Sequence, residues 1–414
     1  MRELWAEFDV YKKIALFGSD IARLLEEERR AKDDYQRKQK EQERKQKQQE
    51  VRDLISAFIR NGRWGPQIVD DEAMRQMMLA QLLPADAICE GRSTQCKDYA
   101  KGKTGLQWWY YKGNVKEQQG KFQQFLAERV EWMASVLSLV KPNDQENTVA
   151  PILPNLTLFP PGSCAIQLTF TLRKPYISKD DTDFYILDNP LKKEHVFKVP
   201  YVAPSQWKGA LRATMTKDLA AWWQSLPGHA RQKREVRKQF VQRRLQITRL
   251  FGNEKGVLVD DFQFEAYLDH VVEDERLNRW YRRALRCLYA PTGFLAGRLH
   301  FYPTFFDKIG LEVINPHPRD TGAGKNPIYF EAVPAGTKGV FTLLYVPLGA
   351  GPTDETACAQ DLAAVACGVQ AMLTVYGFGA KTSSGYGVAD TLVALSYGYW
   401  SPAIHKYFTL ELSQ

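Results

Sequence analysis

Apolar side chains recur at helical intervals at the start of the chain: Trp5, Phe8, Ile14, Phe17, Ile21, Leu24 and Leu25. That spacing predicts an amphipathic helix. From Glu26 to Glu50 the apolar positions nearly vanish, and Arg, Lys, Glu, Gln and Asp fill the run. Without an apolar seam this segment lacks what a coiled coil needs. It predicts either a solvated, salt-bridged helix or an arm without fixed structure. A basic arm on nucleic acid is the sharper alternative, but acids nearly balance bases there. Helical spacing returns over Val51–Ile59, Met74–Leu83 and Phe122–Val140. Pro142-Asn143-Asp144 and the proline-rich stretch Pro151 to Pro161 then break it, which marks a linker. The expected division is a mostly helical accessory region over 1–150 and a second domain over 151–414.

Beyond the linker the period changes. Cys164-Ala-Ile-Gln-Leu-Thr-Phe-Thr-Leu172 alternates and is rich in strand formers, so it predicts a first strand. An acidic loop follows, with Asp180, Asp181, Asp183 and Asp188. Pro204-Ser205 predicts a helix start with Ser205 as N-cap, the helix running to about Trp223. Lys208 and Arg212 then lie one turn apart near a positive helix end, a suitable place for a phosphate. Simple solvated charge is the bland reading of the same pair. From Arg231 to Arg249 eight bases face one acid, Glu235, which predicts a basic helix that meets RNA, a partner or only water. Acidic and aromatic helical residues run from Phe262 to Leu288. Strand-like segments return at Gly297–Pro303, Ile309–Ile314, Ile328–Val333 and Phe341–Val346. A helical insertion is therefore expected around 225–290.

An apolar segment, Leu362 to Ala380, leads into Gly377-Phe-Gly-Ala-Lys-Thr-Ser-Ser-Gly-Tyr-Gly387. Large side chains at Leu362, Val365, Val369 and Leu373 suit a buried helix better than a membrane span. Four glycines in eleven residues let the backbone take positive φ and approach a ligand closely. Successive N–H groups in such a turn can form an anion-binding concavity. Lys381 adds a charge, and Thr382, Ser383 and Ser384 add hydroxyls. The register of a P-loop fails, because Lys381 follows Ala380. The dinucleotide fingerprint fails too, because Thr382 stands where its third glycine belongs. A glycine-rich hairpin without chemistry is the alternative.

The chain has 414 residues, a net charge of +8 and a pI near 9.0, which favours a polyanionic partner. Six scattered cysteines without a Cys-x-x-Cys pair read as reduced thiols in a cytoplasmic protein, not as a zinc site. The charged first twenty residues argue against a signal peptide. Trp108, Trp109, Tyr110 and Tyr111, flanked by Lys101, Lys103, Lys112 and Lys116, can stack bases or dock a neighbouring domain.

Ser205-Gln-Trp-Lys-Gly-Ala-Leu-Arg212 resembles the Ser-x-x-Lys-Gly-x-x-Arg signature of the RAMP superfamily of CRISPR effector complexes. Leu250-Phe251-Gly252 is similar to a second landmark of that family. Ile314-Asn-Pro-His317 with Asn326-Pro-Ile-Tyr-Phe330, and the loop Gly379–Gly387, resemble segments of the sixth Cmr subunit type. The resemblance implies an α+β fold with a ferredoxin-like (RRM-like) core, helical insertions and a mostly helical N-terminal region. It implies a type III CRISPR ribonucleoprotein subunit that binds CRISPR RNA, with target RNA as a further ligand. It also implies packing against other effector subunits in the cytoplasm, with no membrane and no cofactor. Carried over, the RNA contacts are Lys208, Arg212, His317 and the loop residues Gly377, Gly379, Lys381, Thr382, Ser383, Ser384, Gly385, Tyr386 and Gly387. Some relatives cleave target RNA with an aspartate after the first strand, where Asp180, Asp181 and Asp183 stand. Such cleavage would need a divalent metal. A CRISPR RNA-processing endoribonuclease using a histidine, here His195, is a further alternative.

Overall fold

The computed structural model describes residues 20–21, 23–31, 33–61, 63–64, 67–68, 121–141, 148–180, 189–253, 263–288, 295–315, 328–349 and 351–399. Asp181, Asp183 and His317 lie outside these residues, as does the aromatic block at 108–111. In chain order the main elements are α1 (Asp34–Asn61), α2 (Lys121–Val136), β1 (Cys164–Leu172) and α3 (Pro204–Ser225). There follow α4 (Arg234–Phe251), α5 (Gln263–Val272), α6 (Glu275–Leu288) and β2 (Leu299–Phe301). The remainder are β3 (Gly310–Ile314), β4 (Ile328–Ala332), β5 (Lys338–Tyr345), α7 (Glu355–Ala371) and β6 (Ala389–Tyr399).

The chain divides into two compact units, the first comprising residues 1–131, 178–199 and 307–332. In it a helical segment at 20–30 precedes α1, with Ile21 and Leu24 buried. Arg44 of α1 pairs with Glu28 at 2.9 Å and Lys40 with Glu27 at 3.0 Å. The charged run is thus a helix laced by ion pairs, as a solvated helix requires. Strands β3 and β4 form an antiparallel hairpin, Gly310 opposite Ala332. Glu331 is fully buried on it and accepts from the Leu191 N–H at 3.0 Å and from the Lys193 ammonium. Pairing keeps that buried carboxylate tolerable.

The second unit comprises 132–177, 200–306 and 333–414 and is built on an antiparallel sheet ordered β6-β1-β5-β2. Strand β1 lies between β6 and β5 and is buried on both faces, with Gln167 and Thr169 among its buried residues. Helix α3 links β1 to β2, and α7 links β5 to β6. The unit therefore runs β-α-β-β-α-β, with α4, α5 and α6 inserted between α3 and β2. Trp207, Leu211, Met215, Leu219 and Trp223 form the buried stripe of α3. A Cβ on Gly368 of α7 would lie 2.8 Å from Met215 Cγ, so the two helices pack in close contact there. The apolar span Glu355–Tyr376 is long enough to cross a membrane, yet over half of it is buried in this unit.

Ser205 is not the N-cap of α3. Ala203 takes that place without a side-chain bond, and Pro204 occupies the first helical turn. Proline's fixed φ suits that position and it brings no N–H to satisfy, so the helix starts two residues earlier than a Ser205 cap implies. The basic helix α4 is also less free than its charges suggest. Arg244 and Arg249 are buried, Arg237 pairs with Asp274, and the Arg243 guanidinium lies 4.5 Å from the Trp222 ring centroid. The chain leaves α4 through Gly252, at φ +80°, where a Cβ would sit 2.6 Å from the Leu295 carbonyl oxygen. Leu250 and Phe251 are buried beside it, so this landmark is a packing device. Among the described residues Cys164, Cys287, Cys358 and Cys367 form no disulfide. Burial pushes the Cys164 thiol up to about 12.

Candidate functional site

The glycine loop begins where a π-helical turn, Met372–Tyr376, runs out at Gly377, φ +73°. Its neck is held by the segment that follows β1. Gly387 donates its N–H to Pro175 O at 2.9 Å and accepts from the Phe378 N–H at 3.0 Å. Ala380 donates to Ile177 O at 2.7 Å, and Val388 O accepts from the Arg173 N–H at 2.8 Å. A Cβ on Gly379 would lie 2.4 Å from Ile177 O, so the two backbones touch. The amides of Gly377, Phe378, Ala380, Ser384, Gly385 and Gly387 all bond backbone carbonyls. These six amides hold the loop's shape; the surface for a ligand is its rim.

That rim is Lys381, Thr382, Ser383 and Ser384. Lys381 adopts left-handed geometry, φ +57°, which throws the chain into the short 3-10 turn Thr382–Ser384 and on to Gly385. Lys381, Ser383 and Ser384 are exposed, and Thr382, Gly385 and Tyr386 are half-buried. One cation and three hydroxyls therefore project from a braced backbone, a donor set suited to phosphate oxygens.

Phe378 anchors the loop. Its ring is buried, 4.5 Å from that of Trp207 and 5.2 Å from that of Tyr176 between centroids. Trp207 belongs to the first turn of α3, and its indole N–H donates to Thr304 Oγ1 at 3.1 Å. Tyr176 donates its hydroxyl to Gln206 Oε1 at 3.0 Å. Further along, Tyr376 donates to Asp218 Oδ1 at 2.6 Å. That bond, with some burial, raises the Tyr376 hydroxyl to about 12. The helix start carrying Lys208 and Arg212 and the glycine loop are thus joined through one aromatic cluster. Both bases are half-buried on adjacent turns.

His300 of β2 enters this region unannounced by its sequence surroundings. Its pKa lies below the ordinary histidine value, first through desolvation and then through the charge of Lys208. Lys208→Gln is expected to raise the His300 titration midpoint without restoring the ordinary value, since partial desolvation, the larger cause, remains. NMR titration of the ring protons checks this, and an unmoved midpoint would separate the two side chains. The sign for stability follows: a histidine depressed in the fold favours it above the ordinary pKa, and that contribution is lost as pH falls towards the folded midpoint.

Asp180 belongs to the first unit, half-buried, with its N–H on Pro190 O at 3.2 Å. His195 is exposed in the same unit. Among the described residues, no group of three or more His, Cys, Asp or Glu side chains could hold a metal ion.

A model of the RAMP superfamily matches residues 183–390, which span α3 to the start of β6 with the glycine loop. No curated protein matches the chain. Among solved structures, a chain of the type III-B Cmr-beta bound to cognate target RNA is similar at 11% identity and a TM-score of 0.33. That likeness covers 86% of this chain and 92% of the other. Cmr6 from Pyrococcus furiosus is similar at 18% identity and a TM-score of 0.29, covering 57% of this chain and 99% of that one.

Proposed function

This chain belongs to the RAMP superfamily, and on that premise we propose that it is an RNA-binding structural subunit of a type III CRISPR effector. As a subunit close to the sixth Cmr type, it holds CRISPR RNA, with the target strand as a further ligand, and packs against neighbouring effector subunits in the cytoplasm. It needs no cofactor for this. The sheet order β6-β1-β5-β2, with α3 and α7 as crossovers, supports a ferredoxin-like core. The observation that carries the reading is the contact of Trp207 with Phe378, which makes the Ser205–Arg212 helix start and the glycine loop one rigid piece. Lys208, Arg212 and Lys381 supply charge to the ribose-phosphate chain, and Thr382, Ser383 and Ser384 supply hydroxyl bonds. Gly377, Gly379, Gly385 and Gly387 shape the loop, and Tyr386 and His317 complete the set.

Affinity for single-stranded RNA, measured on the purified full chain against salt, tests the site. Each phosphate neutralised contributes about −0.7 to the slope of log affinity on log salt. The triple variant Lys208→Gln, Arg212→Gln, Lys381→Gln is expected to flatten that slope by about 2. An unchanged slope removes these residues from the interface. In the same series, alanine at positions 180, 181 and 183 is expected to leave every RNA fragment pattern of the assembled effector unaltered. Loss of one cut site in one of these variants would instead make this chain a metal-dependent cleaving subunit. Metal-free cutting of precursor RNA by the isolated chain would make it a processing endoribonuclease.

A further inference from the structure

Helix α6 is the most one-sided helix among the described residues. Leu277, Tyr281 and Leu285 are buried on one side. Arg276, Arg279, Arg283 and Arg286 are all exposed on the other, each three or four residues from the next. At about 1.5 Å rise per residue the row extends roughly 15 Å. Among the described residues, the guanidinium groups of Arg276, Arg283 and Arg286 have no acidic partner. Arg279 meets only the exposed Glu275, at 3.4 Å, a pairing that water and salt largely screen. Two of the nearby acids are already engaged: Asp269 holds Arg244 and Arg282, and Asp274 holds Arg237. Trp280, 39% exposed, stands at the edge of the row.

We propose that this face of α6 is a second RNA-backbone surface, on which the four arginines track successive phosphates and Trp280 stacks a base. The proposal rests on the RNA-binding reading above and places a further ligand segment on the helical insertion. A ligand of repeating charge fits a linear row of cations. Guanidinium groups match phosphate oxygens in fork geometry, and an exposed indole beside such a row is a base platform. A protein partner fits less well, because apart from Trp280 the row has no apolar side chain to form an interface centre.

The test uses the full chain and a fluorescein-labelled single-stranded poly(U) probe of about 30 nucleotides, a length chosen to exceed one binding site. Replacing all four arginines with glutamine is expected to flatten the salt slope by about 2–3 and to weaken binding at least tenfold. Four lysines in their place are expected to keep most of the slope. Trp280→Ala is expected to weaken binding with the slope unchanged. Should the quadruple variant fail to fold, the pair Arg283→Gln, Arg286→Gln is expected to remove about half of that slope. A native melting curve with an unaltered slope in either variant overturns the proposal. Weakened binding to polyglutamate with RNA affinity intact overturns it in favour of an acidic protein surface. If the glutamine triple in α3 and the loop flattens the slope and the α6 variant does not, only the α6 surface fails. If α6 responds and the triple does not, the site proposed above fails and α6 stands. A wild-type chain that does not bind the probe refutes both.

Discussion

Replacing Gly387 with alanine is expected to destabilise the second unit by about 4 kcal/mol or more, the sum of three separable effects. A left-handed backbone costs a side-chain-bearing residue about 1–2 kcal/mol, and Gly387 has φ +69°. The new Cβ would fall 1.9 Å from the Phe378 carbonyl oxygen, a backbone atom that cannot swing aside as a side chain would. Relieving that clash breaks the bonds between Phe378 N–H and Gly387 O and between Gly387 N–H and Pro175 O, each worth about 1 kcal/mol. It also draws the buried Phe378 ring from its place against Trp207, at about 1.5–3 kcal/mol if exposure is complete. Gly385→Ala is the control. It shares the positive φ, at +81°, but a Cβ there meets nothing within 4 Å, so only the conformational cost of about 1–2 kcal/mol remains. Urea unfolding of both variants separates them, read as a midpoint shift at constant m. Equal losses would mean that the loop has no tight neck. The same comparison bears on function, since the rim residues Lys381 to Ser384 keep their positions only while the neck holds.

The same loop shows how far the sequence could be read. Glycine spacing marked it as a place of close approach, and the positive φ angles at Gly377, Gly379, Gly385 and Gly387 agree. What approaches is the chain's own backbone: Phe378 O at Gly387, Ile177 O at Gly379 and Tyr386 O at Gly377. A glycine count cannot distinguish a ligand from a neighbouring strand end, because both need the same missing Cβ. Strand β1 was legible to its residue limits, because alternation rich in strand formers and bounded by turn residues has few alternatives. The α3 start was misassigned by local logic: serine is a good cap, but the preceding proline had already set the helical φ. Phe378 and Trp207 lie far apart in the sequence, and only the fold brings their rings together. His300 and the arginines of α6 were overlooked for a related reason. Composition averages over a helix, whereas exposure sorts it by face, so Glu273 and Glu275 masked a row of arginines on the far side of Tyr281.

The second large effect is expected at Asp361, which composition hid inside an apolar helix. Its carboxylate has no exposure and gathers two cations and two neutral donors. Arg249 reaches it with Nε at 3.2 Å and with a second guanidinium nitrogen, Arg298 with Nη1 at 3.2 Å, Tyr345 and Gln246 each at 3.0 Å. One side chain of α7 thus ties the end of α4, the residue just before β2, and β5. Burial, followed by the negative charge of Asp361, raises the Tyr345 hydroxyl well above its ordinary pKa, so it stays a donor. Asp361→Asn preserves the shape but removes the carboxylate charge that Arg298, itself fully buried, and Arg249 share. Removing one partner of a buried pair costs about 3–5 kcal/mol, mostly because the remaining charge is stranded. A loss in that range is therefore expected in urea unfolding, larger than any loss at exposed pairs such as Arg23–Glu27. The decisive comparison is the triple variant Asp361→Leu, Arg249→Met, Arg298→Met. With all three charges gone, the desolvation penalty goes with them, and the triple is expected to be more stable than Asp361→Asn alone. A triple variant less stable than the single one would show that the ions attract each other by more than their burial costs. The network would then be a net source of stability, where the expectation is that it chiefly selects which elements meet.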